Sequence, residues 1–289
     1  MPSKSYKSAT DFRRALEHRL QNEAERSGQN LQRLRRKVAF NRFLARIFSD
    51  PASPWILKGG YAMELRLAHA RATRDIDLAL KGKPQVSGAK QAGYLQDLLS
   101  NALHKDLGDF FSYRVGSVQM ELDGPLYGGA RYPVEALMDN RLFVSFHADV
   151  AVGDYIPADL ETAYEQDFVS FSGIKPAAFP MIPREVQFAE KLHAYTMPRS
   201  VPNSRVRDLV DMVLLIQEGK VDPAKARAAL KAVFSRRKSH DIPPVLEPAP
   251  DRWGKGFAEM AEECGLKMDL KAGFEILNRF CLKVLSGEG

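Results

Sequence analysis

The chain has 289 residues, of which 45% are hydrophobic and 27% are charged, and its formal net charge is +6. This size and composition suit a soluble globular protein with one large domain or two smaller ones. They exclude a membrane-spanning protein, because the strongest apolar run, 212–216, is far too short to cross a bilayer. Cys264 and Cys281 have no zinc-ligand or CxxC spacing, and no apolar signal segment follows the first residues, so we expect a cytoplasmic protein.

Positive charge is concentrated in residues 1–50, which hold twelve Lys or Arg against five Asp or Glu. A basic end of this kind indicates a polyanionic partner, although a solvated basic surface is the alternative. Hydrophobic periodicity predicts helices at 11–27 and 31–48. Three arginines near one face of the second helix are candidate contacts for an RNA backbone: Arg35, Arg42 and Arg46.

A glycine pair follows the next predicted element, a short strand at 55–57. Gly59 and Gly60 precede a helix predicted at 61–70, and backbone N–H groups of such a pair can bind phosphate oxygens. The alternative is a tight turn with close packing of helix on strand. The pair alone does not decide between these interpretations.

Two aspartates lie in the following strand, predicted at 74–80. Side chains alternate along a strand, so Asp75 and Asp77 project from the same face. Two carboxylates at this spacing suit one or two hard divalent cations such as Mg²⁺, with Mn²⁺ as a substitute. They could instead be exposed charges of the strand face, but Asp is disfavoured in strands. With the glycine pair, they predict a site that transfers a nucleotide.

The pattern then changes to the alternation typical of strands, after a further helix at 91–103. Asp139-Asn140 is a hairpin-turn signal. The strands are predicted at 111–122, 132–138 and 142–152. These elements predict an α/β or α+β fold, with a mixed sheet and helices on at least one face.

The last of these strands contains Asp149 within an apolar run. An isolated carboxylate there would be costly to bury without a partner or a cation. Asp149 is therefore a candidate third metal ligand and the base for an acceptor hydroxyl, completing a two-cation site with Asp75 and Asp77. The alternative is an aspartate at the edge of the sheet. His147, on the same face, is interpreted as structural.

The remainder of the chain is predicted to be helical after a polar linker that begins near residue 154. Asp222 and Pro223 form an N-cap and a first-turn proline, and a proline-rich loop covers 240–250. The helices are predicted at 184–196, 204–217, 223–237, 253–264 and 269–285. We therefore divide the chain into an α/β domain, 1–180, and a helical domain, 181–289.

Four short motifs follow one another along the chain: Lys58-Gly59-Gly60, Arg71-x-Thr73-x-Asp75-x-Asp77-Leu78, Glu190-Lys191-x₂-Ala194 and Arg205-x-Arg207-Asp208-x₂-Asp211. Their pattern resembles that of the AbiEii/AbiGii-type nucleotidyltransferase toxins, within the DNA polymerase β-like nucleotidyltransferase superfamily. The resemblance covers roughly residues 55–217. It implies a polymerase β-like sheet followed by a helical domain that carries the Lys191/Asp208 motif.

The resemblance also implies a function, the toxin of a bacterial toxin–antitoxin pair with a cognate antitoxin protein as partner. MenT-like relatives transfer nucleotides to the 3′ end of tRNA. The implied reaction is transfer of a nucleoside monophosphate from a nucleoside triphosphate to an RNA 3′ end, with two Mg²⁺ ions and release of pyrophosphate. The implied nucleotide-binding residues are Lys58, Gly59, Gly60, Arg71, Thr73, Lys191 and Asp211, and the implied catalytic residues are Asp75, Asp77, Asp149, Lys191 and Asp208.

Helix geometry supports a role for Lys191 independently of the resemblance. Lys191 lies on the same face of the predicted helix as Phe188 and Tyr195. A cation there could neutralise the charge of departing pyrophosphate, whereas the alternative is an exposed surface lysine. Asp208 is expected to pair with Lys191 and orient it, or to touch the nucleotide. Two neighbouring arginines could bind RNA or pair with aspartates of their own helix: Arg205 and Arg207.

Two other functions fit the same motifs. The nucleotide could go to a protein side chain or a small molecule, although the basic amino-terminal half disfavours a small cationic acceptor. The chain could also be a dormant module that only binds nucleotide or RNA. The presence of all three expected carboxylates argues against dormancy.

Overall fold

A computed structural model describes residues 6–83, 86–122, 124–166 and 168–286. The chain forms two compact units. The first comprises Met1–Tyr61, Ala72–Gly153 and Thr162–Met181, and the second comprises Ala62–Arg71, Asp154–Glu161 and Ile182–Gly289.

The second unit therefore includes two short segments that the sequence analysis assigns to the first domain. Arg66 shows why these segments join the helical part of the chain. Its guanidinium donates to the Glu161 carboxylate at 3.0 Å and to the Ile182 carbonyl at 2.7 Å. One buried arginine thus ties three separate stretches of chain to the same unit.

The sheet is mixed, as the sequence predicts. Its strands are β1 Trp55–Lys58, β2 Asp75–Leu80, β3 Phe111–Val115, β4 Met120–Glu121, β5 Gly129–Met138, β6 Arg141–Val152, β7 Glu161–Tyr164 and β8 Ala178–Met181. They follow the order β3-β5-β6-β2-β1-β8-β7, with β4 also paired to β5. β2 runs antiparallel to β1 and parallel to β6, which places two strands with acidic residues side by side at the centre of the sheet.

The β5–β6 hairpin turns at Asp139 and Asn140. Both residues have positive φ, 57° and 54°, as a two-residue type I′ turn requires. The predicted turn is confirmed. β7 and β8, by contrast, lie in the stretch predicted as a linker, because four-residue strands are too short to show a period.

Four helices accompany the sheet within the described residues: α1 Ala9–Ser27, α2 Leu31–Ile47, α3 Gly59–Arg66 and α4 Gln91–Leu103. Asn30 caps α2 by accepting from the backbone N–H groups of Gln32 and Arg33. Phe40 and Phe43 of α2 both make edge-to-face contacts with Phe146 of β6. This contact packs α2 against the sheet.

α3 differs from the predicted helix at 61–70. It begins at Gly59 and ends at Arg66, and Leu67 makes the last intrahelical bond to the Met63 carbonyl. The glycine pair is therefore the first turn of the helix. Arg71 and Thr73 lie in irregular chain after it.

The second unit is helical beyond residue 182, as predicted. Its helices are α5 Arg184–Thr196, α6 Val206–Gln217, α7 Pro223–Arg237, α8 Gly254–Glu263 and α9 Leu270–Ser286. The predicted cap is confirmed, since the Asp222 side chain accepts from the Lys225 N–H and Pro223 is the first residue of α7. α6 is buried along most of its length and packs against α5, α8 and α9.

Candidate active site

The glycine turn packs directly against Asp77. Gly59 has a positive φ of 64°, and a Cβ there would lie 1.9 Å from the Asp77 Oδ2 atom. A Cβ on Gly60 would lie 2.6 Å from the Thr73 hydroxyl. The Gly60 N–H donates to Asp77 Oδ2 at 3.3 Å. The close packing suggested as an alternative is therefore present, and it brings the start of α3 to a carboxylate of β2.

Four charged residues form one row across the sheet. Lys58 of β1 pairs with Asp77 of β2, Asp77 with Asp149 of β6, and Asp149 with Arg131 of β5. Residues paired in this way project from the same face of a sheet. The structure therefore brings Asp149 beside Asp77, with Asp75 on the same face two residues along β2.

Arg131 is a member of this row that the sequence analysis did not identify. Its Nε donates to Asp149 Oδ1 and its Nη2 to Asp149 Oδ2, each at 2.7 Å, and its Nη2 lies 3.5 Å from Asp75 Oδ2. The hydrogen bond to Asp149 raises the pKa of Arg131, so its charge is permanent. The sequence contained a signal, because Arg131 alternates with two apolar residues, Ala130 and Tyr132, and the structure shows both of them fully buried. The strand predicted at 132–138 begins one residue after Arg131 and therefore does not include it.

Asp75 has a second neighbour in His147, its partner across β2 and β6. The His147 Nδ1 lies 3.2 Å from Asp75 Oδ1. Asp75, Asp77, Asp149 and Arg131 are called the carboxylate site below. Its carboxyl oxygens have neighbours that fix their orientation on the sheet face.

The donor set of the carboxylate site suits one divalent cation. Among the described residues, no three His, Cys, Asp or Glu side chains are grouped as a metal centre. Magnesium does not require such a group, because it is commonly bound by one or two carboxylates together with substrate phosphates and water. Asp75 and Asp77 can supply those two carboxylates, whereas both oxygens of Asp149 accept from Arg131.

A second cluster of the motif residues lies within the helical unit. Lys191 Nζ donates to Asp211 Oδ2 at 2.6 Å and to Asp208 Oδ1 at 3.3 Å. Arg71 donates through Nε and Nη2 to the two Asp211 oxygens, each at 2.9 Å. These four residues are called the lysine cluster. Lys191 is thus a paired cation, and Asp208 contacts it as expected.

Charge pairing determines the ionisation of the lysine cluster. Burial alone would raise the pKa of Asp211, but the charges of Lys191 and Arg71 outweigh it and lower that pKa. Burial opposes the charge of Lys191 as well, yet Asp211 and Asp208 leave its pKa raised. The Asp211 side chain is only 1% exposed and pairs with both cations. The nucleotide contact that the resemblance implies for Asp211 stays a prediction.

The sequence model of one protein family matches residues 42–276, and this family is described as the nucleotidyl transferase AbiEii toxin of type IV toxin–antitoxin systems. The chain belongs to this family. No curated protein sequence matches the chain. JHP933 from Helicobacter pylori has a similar structure over 89% of this chain and 93% of its own, with 13% identity and a TM-score of 0.47. An H. pylori protein provisionally described as a nucleotidyltransferase is similar over 90% of this chain and 97% of its own, with 13% identity and a TM-score of 0.48.

The basic helix α2 of this AbiEii-family chain differs from the predicted RNA surface. Arg42 and Arg46 are 2% and 1% exposed, and both donate to the Asp109 carboxylate at 2.6 Å. Arg42 also donates to Glu165 at 2.9 Å. The prediction that these two arginines bind RNA is wrong, because their charges are buried and paired. Arg35 is partly exposed and pairs with Glu17 at 2.7 Å.

Two further arginines of the AbiEii motifs lie on exposed parts of the helical unit. Arg205 is 3.5 Å from Asp208, and Arg207 is exposed on the first turn of α6. An RNA contact by either arginine stays a prediction.

In the described part of the chain, no helix has the length and apolar character to span a bilayer.

Proposed function

We propose that this AbiEii-family protein transfers a nucleoside monophosphate from a nucleoside triphosphate to the 3′ hydroxyl of an RNA, with release of pyrophosphate. Membership of a nucleotidyltransferase toxin family supports the reaction class. The observation that carries the proposal is the packing of the Gly59-Gly60 turn on Asp77, in a strand whose Asp75 shares the same face. A glycine turn at the start of a helix, which could bind phosphate, and two carboxylates that could bind a cation are thereby adjacent.

The chain's own residues have distinct proposed tasks. Asp75 and Asp77 would hold a divalent cation, magnesium or manganese, which supplies charge stabilisation to phosphate oxygens when bound. The backbone at Gly59 and Gly60 would bind the triphosphate. Lys191 is held charged by Asp208 and Asp211, and we propose that it neutralises charge on a phosphate during transfer.

The acceptor is proposed to be RNA, and specifically the acceptor end of a tRNA. The chain carries a net charge of +6, and the exposed Arg207 offers a cation for a phosphate backbone. A toxin that modifies tRNA would require a cognate antitoxin to protect its host, and we propose such a protein as partner. Family membership in toxin–antitoxin systems supports this partner.

One experiment tests the reaction and the acceptor together. The protein is incubated with each labelled nucleoside triphosphate, Mg²⁺ and total RNA, and label is followed in RNA and in protein. We expect label in RNA for the wild type and a loss of at least about 10²-fold for Asp77→Asn, because a lost electrostatic contact at a reacting centre costs that much. Asp97→Asn, at an exposed aspartate of α4, is the matched control.

Outcomes of this experiment separate the alternatives. Label in protein with none in RNA would assign the transfer to a protein acceptor and contradict the RNA proposal. Full activity of Asp77→Asn, with the same melting temperature as the wild type, would remove Asp77 from the reaction. Chelation with EDTA should abolish labelling, and unchanged labelling there would exclude the proposed cation.

A further inference from the structure

Arg131 holds a position between two carboxylates of the site. It binds both oxygens of Asp149 at 2.7 Å and approaches Asp75 Oδ2 to 3.5 Å. In a site with two cations, the positive charge of the cations would offset the negative charge of carboxylates such as these. The guanidinium therefore offsets the negative charge of Asp149, as a second divalent cation would.

The pairing leaves part of the Arg131 guanidinium unused. Asp149 engages Nε and Nη2, and Nη1 has no hydrogen-bond partner within the described parts of the chain. A guanidinium bound to a carboxylate through one edge can donate to a phosphate from another nitrogen. The Arg131 side chain is 29% exposed, so an incoming phosphate can reach it.

We propose that Arg131 replaces the second divalent cation of this site, so that the protein binds one divalent cation, through Asp75 and Asp77, and contacts a phosphate of its nucleotide with Arg131 Nη1. Asp149 then anchors Arg131 and is not a metal ligand. This inference rests on the proposed nucleotide transfer. It revises the two-cation site and the role as base expected for Asp149 from the sequence.

Charge balance supports a single cation. Arg131 neutralises one of the three carboxylates, and a single divalent cation neutralises the other two. A second divalent cation would have to lie beside the permanent positive charge of Arg131, where repulsion opposes its binding. Lys58, which pairs with Asp77 across β1 and β2, adds another positive charge to the same face.

The number of bound cations tests the proposal without any assay of activity. Mn²⁺ binding to the full chain is measured by electron paramagnetic resonance, in the absence of nucleotide. We expect one Mn²⁺ per chain for the wild type and for Asp149→Asn, and two for Arg131→Ala, because Asp149 is then released beside Asp77. Arg141→Ala removes an exposed Arg–Asp pair of the same hairpin and should leave one.

Three results would overturn the proposal. The first is binding of two Mn²⁺ ions by the wild type and of one by Asp149→Asn. This result would not contradict the proposed nucleotide transfer. The second is loss of the single Mn²⁺ in Asp149→Asn, at an unchanged melting temperature. The third is no Mn²⁺ bound and no labelling of RNA by the wild type, and it removes the proposed function as well. If Arg131→Ala does not fold, the number of Mn²⁺ ions bound by the wild type and by Asp149→Asn still decides the test.

Kinetics test the phosphate contact separately. Losing a charged hydrogen bond should raise the KM for the nucleoside triphosphate of Arg131→Ala by about ten- to a hundredfold, measured with saturating Mg²⁺. Arg141→Ala should keep the wild-type KM. An unchanged KM in Arg131→Ala would overturn the contact with nucleotide, whatever the number of bound cations.

Discussion

Two groups of residues in the first unit pair arginines with carboxylates, but the two groups differ in their environment. In the core group, Arg42 and Arg46 of α2 meet Asp109 and Glu165, and all four side chains are at most 2% exposed. In the carboxylate site, Arg131 and Asp149 are 29% and 15% exposed. The two groups therefore differ in their exposure and in their unused donors, and not in the presence of an ion pair.

The core group has little capacity left for a ligand. Arg46 donates to both Asp109 oxygens and to the carbonyls of Arg42 and Phe111. Burial of such charges is tolerated only when every partner is present. Its role is therefore to hold α2 against the chain around Asp109, whereas Arg131 retains an unused donor beside a carboxylate pair.

The largest effect is expected from breaking the core group. Asp109→Ala leaves Arg42 and Arg46 buried without that carboxylate, which should lower the free energy of unfolding by about 3–5 kcal/mol. Asp149→Asn, in the partly exposed site, should cost about 1 kcal/mol or less. Urea denaturation of both variants measures the two values. Equal losses would contradict the distinction between a structural group and a site.

A smaller effect is expected from the glycine turn. Gly59→Ala adds a Cβ where Asp77 Oδ2 lies and strains a residue with a φ of 64°, so it should cost about 1–3 kcal/mol and greatly reduce transfer. Gly88→Ala is the matched control, because Gly88 has a φ of 67° and open space around its Cβ position. Labelling of RNA and thermal melting are measured for both. Transfer retained by Gly59→Ala would show that Asp77 need not be held in place.

The smallest effect is expected from Arg35, on the same helix as Arg42. Arg35→Ala removes a partly exposed pair with Glu17 and should change the free energy of unfolding by at most about 1 kcal/mol. The same substitution at Arg42 should cost several times more. A filter-binding assay with tRNA, run on Arg35→Ala, also tests the predicted RNA contact. Unchanged binding across salt concentrations would remove Arg35 from that surface.

Local signals made much of the fold predictable. Helices that start at a capping residue were located within one residue or two, as α2 after Asn30 and α7 after Asp222 show. The β5–β6 turn was predictable because Asp-Asn tolerates positive φ at both positions. β7 and β8 were not, because each is stabilised by neighbours from elsewhere in the chain.

The candidate site was only partly predictable for the same physical reason. Asp75 and Asp77 are two residues apart in one strand, so the period of a strand alone places them on one face. The pairing of Arg131 with Asp149 depends on the register of two strands. The burial of Arg42 and Arg46 depends on Asp109 and Glu165, carboxylates more than sixty residues away that helix periodicity cannot reveal.

The tight turn at Asp139-Asn140 has a consequence for how the protein matures. Arg131 and Asp149 lie opposite each other on one hairpin, so their pairing needs only contacts between neighbouring parts of the chain. Chains rich in contacts between neighbouring segments fold faster than chains dominated by pairings between distant segments. We therefore expect the guanidinium–carboxylate pair to form together with the β5–β6 hairpin, without waiting for any inorganic ion.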